Sequence, residues 1–261
     1  MSGTAPAPLP GSAPELLLVR DLCVEFSGPG GTLKAVDGLS FRVLPGASVA
    51  LVGESGSGKS VTAQAILGIL PRVATISRGE ILFTDFSLPG ETIDLARLPP
   101  ADRTYRAIRG RRISMIFQEP MTSLSPVHTV GDQVSEALAI HADLGRREVR
   151  RAAIEMLTLT GFPYPERAYD TYPFELSGGL RQRAMIAMAL ICRPALLIAD
   201  EPSTALDVTI QAQILDLLKD LQRELGMALL LITHDLGIVR KMADRTCVMK
   251  DGEIVERGLA E

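Results

Sequence analysis

The run Gly53-Glu54-Ser55-Gly56-Ser57-Gly58-Lys59-Ser60 has the residue types and spacing to hold a polyphosphate. Glycines let the backbone curl until several N–H groups point inward, and a helix starting there adds its positive end. In such a loop Lys59 reaches the β- and γ-phosphates and the Ser60 hydroxyl takes one position on Mg2+. The expected nucleotide contacts are therefore Gly53, Glu54, Ser55, Gly56, Ser57, Gly58, Lys59, Ser60 and the next residue, Val61. A glycine-rich turn before an ordinary helix is the competing reading. A second group, Ala195-Leu196-Leu197-Ile198-Ala199-Asp200-Glu201, ends an apolar run in adjacent carboxylates. Asp200 suits the shell of a Mg2+ ion. Glu201, one residue on, points elsewhere and can polarise a water in line with the γ-phosphate. A strand ending in a solvated acidic turn would look the same, and the phosphate loop upstream favours the chemical reading. A third group, Leu176-Ser177-Gly178-Gly179-Leu180-Arg181-Gln182, begins a helix. Ser177 is a good N-cap and the glycines leave N–H groups uncovered, which makes a second anion-binding helix end. By itself, Ser-Gly-Gly more often marks a plain capped helix.

The surrounding elements decide between these readings. Ser48–Val52 is short, apolar and β-branched, as a buried strand should be, and Val61–Leu70 carries apolar residues at helical spacing before Pro71. Strand, loop and helix are thus all predicted in place. Upstream, Leu16–Val19, Leu22–Phe26 and Lys34–Val43 read as short strands around the turn Gly28-Pro29-Gly30-Gly31, a hairpin-like antiparallel layer. Gly79–Phe83 and Ile113–Phe117 are further strands, separated by a polar, proline-bearing stretch from Ser87 to Asp102. Helical patterns over Val130–His141 and Arg146–Thr160 follow. From Ser177 on, helices and strands alternate: helix 177–191, strand 195–199, helix 209–225, strand 228–233, helix 236–242, strands 246–250 and 253–256. Such alternation predicts an α/β fold with a parallel sheet, divided by an inserted α-helical subdomain at about 119–176. Residues 1–14, rich in Pro, Ala, Gly and Ser, read as a disordered leader before a single domain over 15–261.

Composition narrows the function classes. The 261 residues are 46% hydrophobic and can bury a large core. A net charge of −4 provides no basic field for nucleic acid. The arginines at 103, 106, 109, 111 and 112 show no basic helix face and read as a solvated turn before a core strand. Cys23, Cys192 and Cys247 form no CxxC pair, which argues against a zinc site or a disulfide framework and for buried thiols in a reducing cytosol. Mean hydropathy is high at +0.20. The longest apolar run, Ala184–Cys192, is about half what a membrane span needs.

Taken together, the motifs resemble those of the ATP-binding subunits of ABC transporters, from Leu16 to the end. They fall in the family's order: Walker A at 53–60, the Q-loop at Gln118, the signature Leu-Ser-Gly-Gly at 176–179, Walker B at 196–201, the D-loop at Ala205-Leu206-Asp207 and the switch His234. The stretch Phe117-Gln118-Glu119-Pro120-Met121-Thr122-Ser123-Leu124-Ser125-Pro126 resembles the dipeptide and oligopeptide importers, though that group usually has Asn at the Ser125 position. Leu180 departs from the Met or Gln usual at its position. The resemblance implies a pair of ATP-binding chains, identical or related, working on integral membrane permease subunits and, indirectly, a solute-binding protein. Nucleic acid is not expected as a partner. Each chain would bind ATP and Mg2+ through its own Walker loops, while Ser177 and the Gly179 N–H would serve the nucleotide of the partner; Gly178 and Asp207 are further expected nucleotide contacts. Gln118 would touch Mg2+ and the attacking water, joining Ser60 and Asp200 around the metal. His234 would bond the γ-phosphate and help position Glu201. Adenine would stack on Phe26, which also alternates like a core residue, with Val36 covering the other face.

The expectation is thus a peripheral ATPase at the cytoplasmic face of the inner membrane, powering uptake of peptides or a similar solute. The alternative is an ABC-type ATPase in DNA repair or translation, but the chain has no heptad insert, CxxC pair or second copy of the unit. A static nucleotide switch would have lost Glu201 or His234, and both are present. Importers of this group usually continue past Gly258, so an end at Glu261 suggests a shortened chain or half of a fused pair.

Overall fold

A computed structural model describes residues 15–86, 92–118, 123–202 and 207–260. The leader, Glu119–Thr122 after the Q-loop glutamine, and Ala205 and Leu206 lie outside the described residues. At the centre is a six-stranded sheet in the order β10-β9-β3-β8-β7-β6. Its strands are β3 (Ser48–Val52), β6 (Ile113–Ile116), β7 (Leu196–Asp200), β8 (Ala228–Thr233), β9 (Arg245–Lys250) and β10 (Glu253–Leu259). All pairings are parallel except β9 with β10. Every residue of β3, β7 and β8 is buried. That explains their unbroken apolar runs, because a parallel sheet is covered on both faces.

Strand alternation then divides the interior in two. Ala50, Val52, Leu197, Ala199, Leu229 and Leu231 face one core, completed by helices α6 (Gly178–Leu190) and α7 (Val208–Leu225). The same core takes Val130, Val134, Ala153, Met156 and Leu157 from α3 (Val130–Ala139) and α4 (Arg146–Leu159), which α5 (Pro165–Tyr169) follows. Val49, Leu51, Leu196, Ile198, Leu230 and Ile232 face the second core. There they meet helix α1 (Lys59–Leu67) and a four-stranded antiparallel sheet in the order β2-β1-β4-β5. These strands are β1 (Leu17–Gly28), β2 (Gly31–Val43), β4 (Ala74–Thr84) and β5 (Thr92–Asp94).

Two readings of the sequence need correction. The separate strands predicted at 16–19 and 22–26 are one strand, β1, whose register shifts between Val19 and Leu22. Asp21, at φ 50°, breaks the alternation there. The arginine-rich stretch is solvated only in part: Arg103, Arg106 and Arg111 are exposed, but the segment is a helix and Arg109 and Arg112 are half-buried. Asp102 caps a short helix, α2 (Arg103–Ile108), in which Tyr105 is only 1% exposed. The Tyr105 hydroxyl donates to the carbonyls of Ala65 (3.2 Å) and Ile66 (2.8 Å), and Arg109 Nε donates to Leu67 O at 2.8 Å. The Arg112 guanidinium forks onto the buried Asp85 carboxylate. This segment therefore supplies donors to the last carbonyls of α1, the helix that starts at the phosphate loop.

Candidate nucleotide site

The phosphate loop leaves the carboxyl end of β3 and enters α1, and its glycines are demanded by contact as well as by dihedral. At Gly58 φ is +99°, and an added Cβ would lie 2.4 Å from Ala35 O. At Gly53 a Cβ would fall 2.2 Å from Met249 O, so β9 allows no side chain there. Lys59 is buried, and its Nζ donates to Gly53 O and Glu54 O at 2.7 Å each and lies 3.3 Å from Ser57 Oγ. Burial lowers its pKa, opposed by the nearby charges of Glu201 and Asp200. The ammonium is thus held over the loop and close to the two Walker B carboxylates.

Asp200, the last residue of β7, is 5% exposed, and its Oδ1 has no hydrogen-bond partner among the described residues. Burial raises its pKa; the adjacent Ser60 hydroxyl and Lys59 act in the opposite direction, while Glu201 adds to the rise. A buried carboxylate oxygen without a partner, beside a serine hydroxyl, is a donor set that fits Mg2+.

Glu201, the next residue, has a left-handed backbone, with φ +46°. Its N–H donates to Ile232 O at 2.9 Å, which ties the end of β7 to β8. The carboxylate is bracketed from two other elements. Gln118 Nε2, just past β6, donates to Oε2 at 2.9 Å. His234 Nδ1, just past β8, lies 3.1 Å from Oε1. Three parallel strands thus deliver three side chains to one point at their carboxyl ends, where ligands bind in such sheets. A groove of about 1090 Å3 opens there, and its walls include Gly53, Glu54, Ser55, Gln118, Glu201 and His234.

Other expected site residues lie apart from this groove. Ser177 is exposed and caps α6, its hydroxyl accepting from Leu180 N at 3.4 Å. Gly178 is exposed and Gly179 half-buried, and none of the three lines the groove. Asp207 caps α7 through a bond from Ile210 N at 2.9 Å. Phe26 is half-buried between Leu33 and Ala74 on the neighbouring strands and keeps part of its ring exposed. Val36 overturns its expectation. It is 0% exposed, paired with Val24 in β2, and its Cγ2 sits beneath the phosphate loop, 3.3 Å from where a Gly58 Cβ would be. It supports the loop from behind and has no surface to cover a base. Sequence reasoning also missed Gln182, a buried amide whose Nε2 donates to Pro202 O at 2.5 Å. The helical pattern of α6 offered one signal, a polar residue on an apolar stripe.

A glycine loop joining a buried strand to a helix, with an acidic pair at the end of a neighbouring parallel strand, defines a phosphate-loop nucleotide-binding protein. Residues 36–204 match the family model described as ABC transporter, and the chain belongs to that family. It is 56% identical over 247 residues to a peptidoglycan transport ATP-binding protein of Agrobacterium fabrum, covering 94% of this chain and 44% of that one. It is 51% identical over 245 residues to a dipeptide transport ATP-binding protein of Bacillus subtilis, spanning 70% of its length. Among solved structures, the dimeric ATP-binding cassette MJ0796, in a post-hydrolysis state bound to ADP and Pi, superposes with a TM-score of 0.79 at 27% identity. That match covers 94% of this chain and 99% of the other. The chain therefore spans less than half of the first relative and about two thirds of the second.

Proposed function

We propose that the chain is the ATP-binding and hydrolysing subunit of an ABC importer, coupling hydrolysis to uptake of peptides or a similar solute. One observation carries the enzymatic part: the Glu201 carboxylate, oriented by Gln118 and His234 at the mouth of the phosphate loop. Gly53 to Val61 bind the nucleotide, with Lys59 on the β- and γ-phosphates and Phe26 stacked on adenine. Ser60, Asp200 and Gln118 would hold Mg2+, which when bound would neutralise charge on the phosphate oxygens. Glu201 takes a proton from a water aligned by Gln118. The oxygen of that water bonds to the γ-phosphorus as the bond to the β-phosphate bridge breaks, leaving ADP and phosphate. His234 fixes Glu201 and contacts the γ-phosphate. Ser177, Gly178, Gly179 and Asp207, exposed or half-buried and away from the groove, are free to meet the nucleotide of a second subunit.

The solute class rests on the relatives, whose names specify transport of peptidoglycan, dipeptides and oligopeptides. No helix among the described residues is long and apolar enough to cross a membrane. The proposal has the chain working on integral membrane permease subunits, peripheral on the cytoplasmic face of the inner membrane, with a solute-binding protein upstream of the pair. Glu201→Gln is the direct test. We expect hydrolysis to fall at least a hundredfold, within the range for removing a general base, with ATP binding retained and a closed dimer trapped. Normal turnover in that variant removes the assignment.

A further inference from the structure

Gln182 is the polar exception on α6, where Ala184, Met185, Ile186, Ala187, Ala189 and Leu190 are all buried. It is 1% exposed. Only one half of its amide is used. Nε2 donates to the carbonyl of Pro202 at 2.5 Å, and Oε1 has no partner among the described residues. The orientation is fixed by chemistry, because a carbonyl can only accept, so the nitrogen must face Pro202. A buried amide with an orphaned oxygen is unfavourable, and a leucine of similar volume would avoid the penalty. Packing alone therefore gives no reason for a glutamine here.

What the amide gains is a grip on the backbone beside Glu201. Glu201 has φ +46°, a conformation that side-chain-bearing residues rarely hold without support from their surroundings. On its N-terminal side the support is the bond from Glu201 N to Ile232 O. On its C-terminal side Pro202 has no N–H to offer, and among the described residues Gln182 is the side chain that bonds its carbonyl. The same glutamine lies one turn beyond Gly178 and Gly179, and an added Cβ at Gly179 would sit 3.0 Å from Ile210 in the first turn of α7. The start of α6, the start of α7 and the residue after Glu201 are thus packed as one unit.

We propose that Gln182 is a positioning residue for hydrolysis: it clamps Pro202 so that Glu201 keeps its left-handed backbone and its carboxylate stays between Gln118 and His234. The clamp also links the helix that begins at the Ser-Gly-Gly sequence to the carboxylate of its own chain. This rests on the reading of Glu201 as general base, and the test separates the two.

Three variants of the purified chain are compared with wild type: Gln182→Leu, Gln182→Glu and Glu201→Gln. For Gln182→Leu we expect kcat to fall tenfold or more, KM for MgATP to stay within twofold, and the thermal midpoint to hold or rise because the orphaned oxygen is gone. A merely structural amide predicts the opposite, with kcat preserved in proportion to folded protein and the midpoint lowered. Gln182→Glu adds a readout that packing cannot produce. Its introduced carboxyl, raised in pKa by burial, can donate to Pro202 O only while protonated. Activity relative to wild type should therefore recover as pH falls and vanish as it rises. Wild-type kcat in Gln182→Leu, or a pH profile of Gln182→Glu parallel to wild type, overturns the inference. If Glu201→Gln is inactive while Gln182→Leu is fully active, only the clamp is wrong. If Glu201→Gln turns over normally, the general-base reading itself has failed.

Discussion

At the scale of single residues, the site is a set of unfavourable placements arranged around one point. Asp200 is a buried carboxylate with a free oxygen, Glu201 is held in a strained backbone, and Lys59 is a buried ammonium. Such features lower stability and are tolerated where they serve a ligand. Asp200 makes the trade measurable. Its folded pKa lies above the unfolded one because burial disfavours its charge. Ionisation therefore subtracts stability as pH rises from the ordinary Asp value through the raised one. Asp200→Asn should stabilise the nucleotide-free protein at neutral pH by about 1 kcal/mol. The gain should shrink to nothing at acid pH, where the native carboxyl is already protonated. Denaturant titrations at several pH values check this, and ATPase assays of the same variant should show Mg2+-dependent turnover lost. A variant less stable than wild type at neutral pH would mean the carboxylate is better solvated than its surroundings indicate.

At the scale of elements, each proposed catalytic side chain sits one or two residues past the carboxyl end of a parallel strand, and helix α1 is held from both ends. Gly58→Ala should cost about 2 kcal/mol or more and abolish nucleotide binding, because its φ is +99° and the new Cβ would meet Ala35 O at 2.4 Å. Calorimetry of folding and of ATP binding would check both effects. Tyr105→Phe acts at the other end of α1. Losing its hydroxyl bonds to Ala65 and Ile66 should cost about 1–2 kcal/mol while nucleotide affinity changes little. The contrast between these variants bears on what a sequence can reveal. The placement of Gly53 to Ser60 between a strand and a helix, of Asp200 and Glu201 at a strand end, and of the buried strands was legible because contiguous runs encode it: a strand period, a glycine spacing, an apolar run ending in acid. The capping of α1 by Tyr105 and Arg109 was not, since its donors come from a segment some forty residues downstream. Val36 was misread for a related reason. Strand alternation says that a residue is on one of two faces, but only the β1–β2 register shows which face is covered. Gln182 was hidden because its partner is a backbone carbonyl 20 residues away.

At the scale of the whole molecule, the two helix ends proposed to bind phosphate are separated. One opens into the groove with Glu201, and the other, capped by Ser177, presents its exposed start elsewhere. On the proposed reading one chain holds two incomplete halves of a site, and two chains related by a closed two-fold would complete both. Ser55 and Ser177 are both exposed, on the two halves that such a pairing brings together. The direct measurement is disulfide formation between a chain carrying Ser55→Cys and a differently tagged chain carrying Ser177→Cys. Both would carry Glu201→Gln and have Cys23, Cys192 and Cys247 replaced. A cross-link joining the two tags, formed with MgATP and absent without it, is the predicted result. No inter-chain product with MgATP, or equal yields with and without nucleotide, would contradict a phosphate site completed by the second subunit.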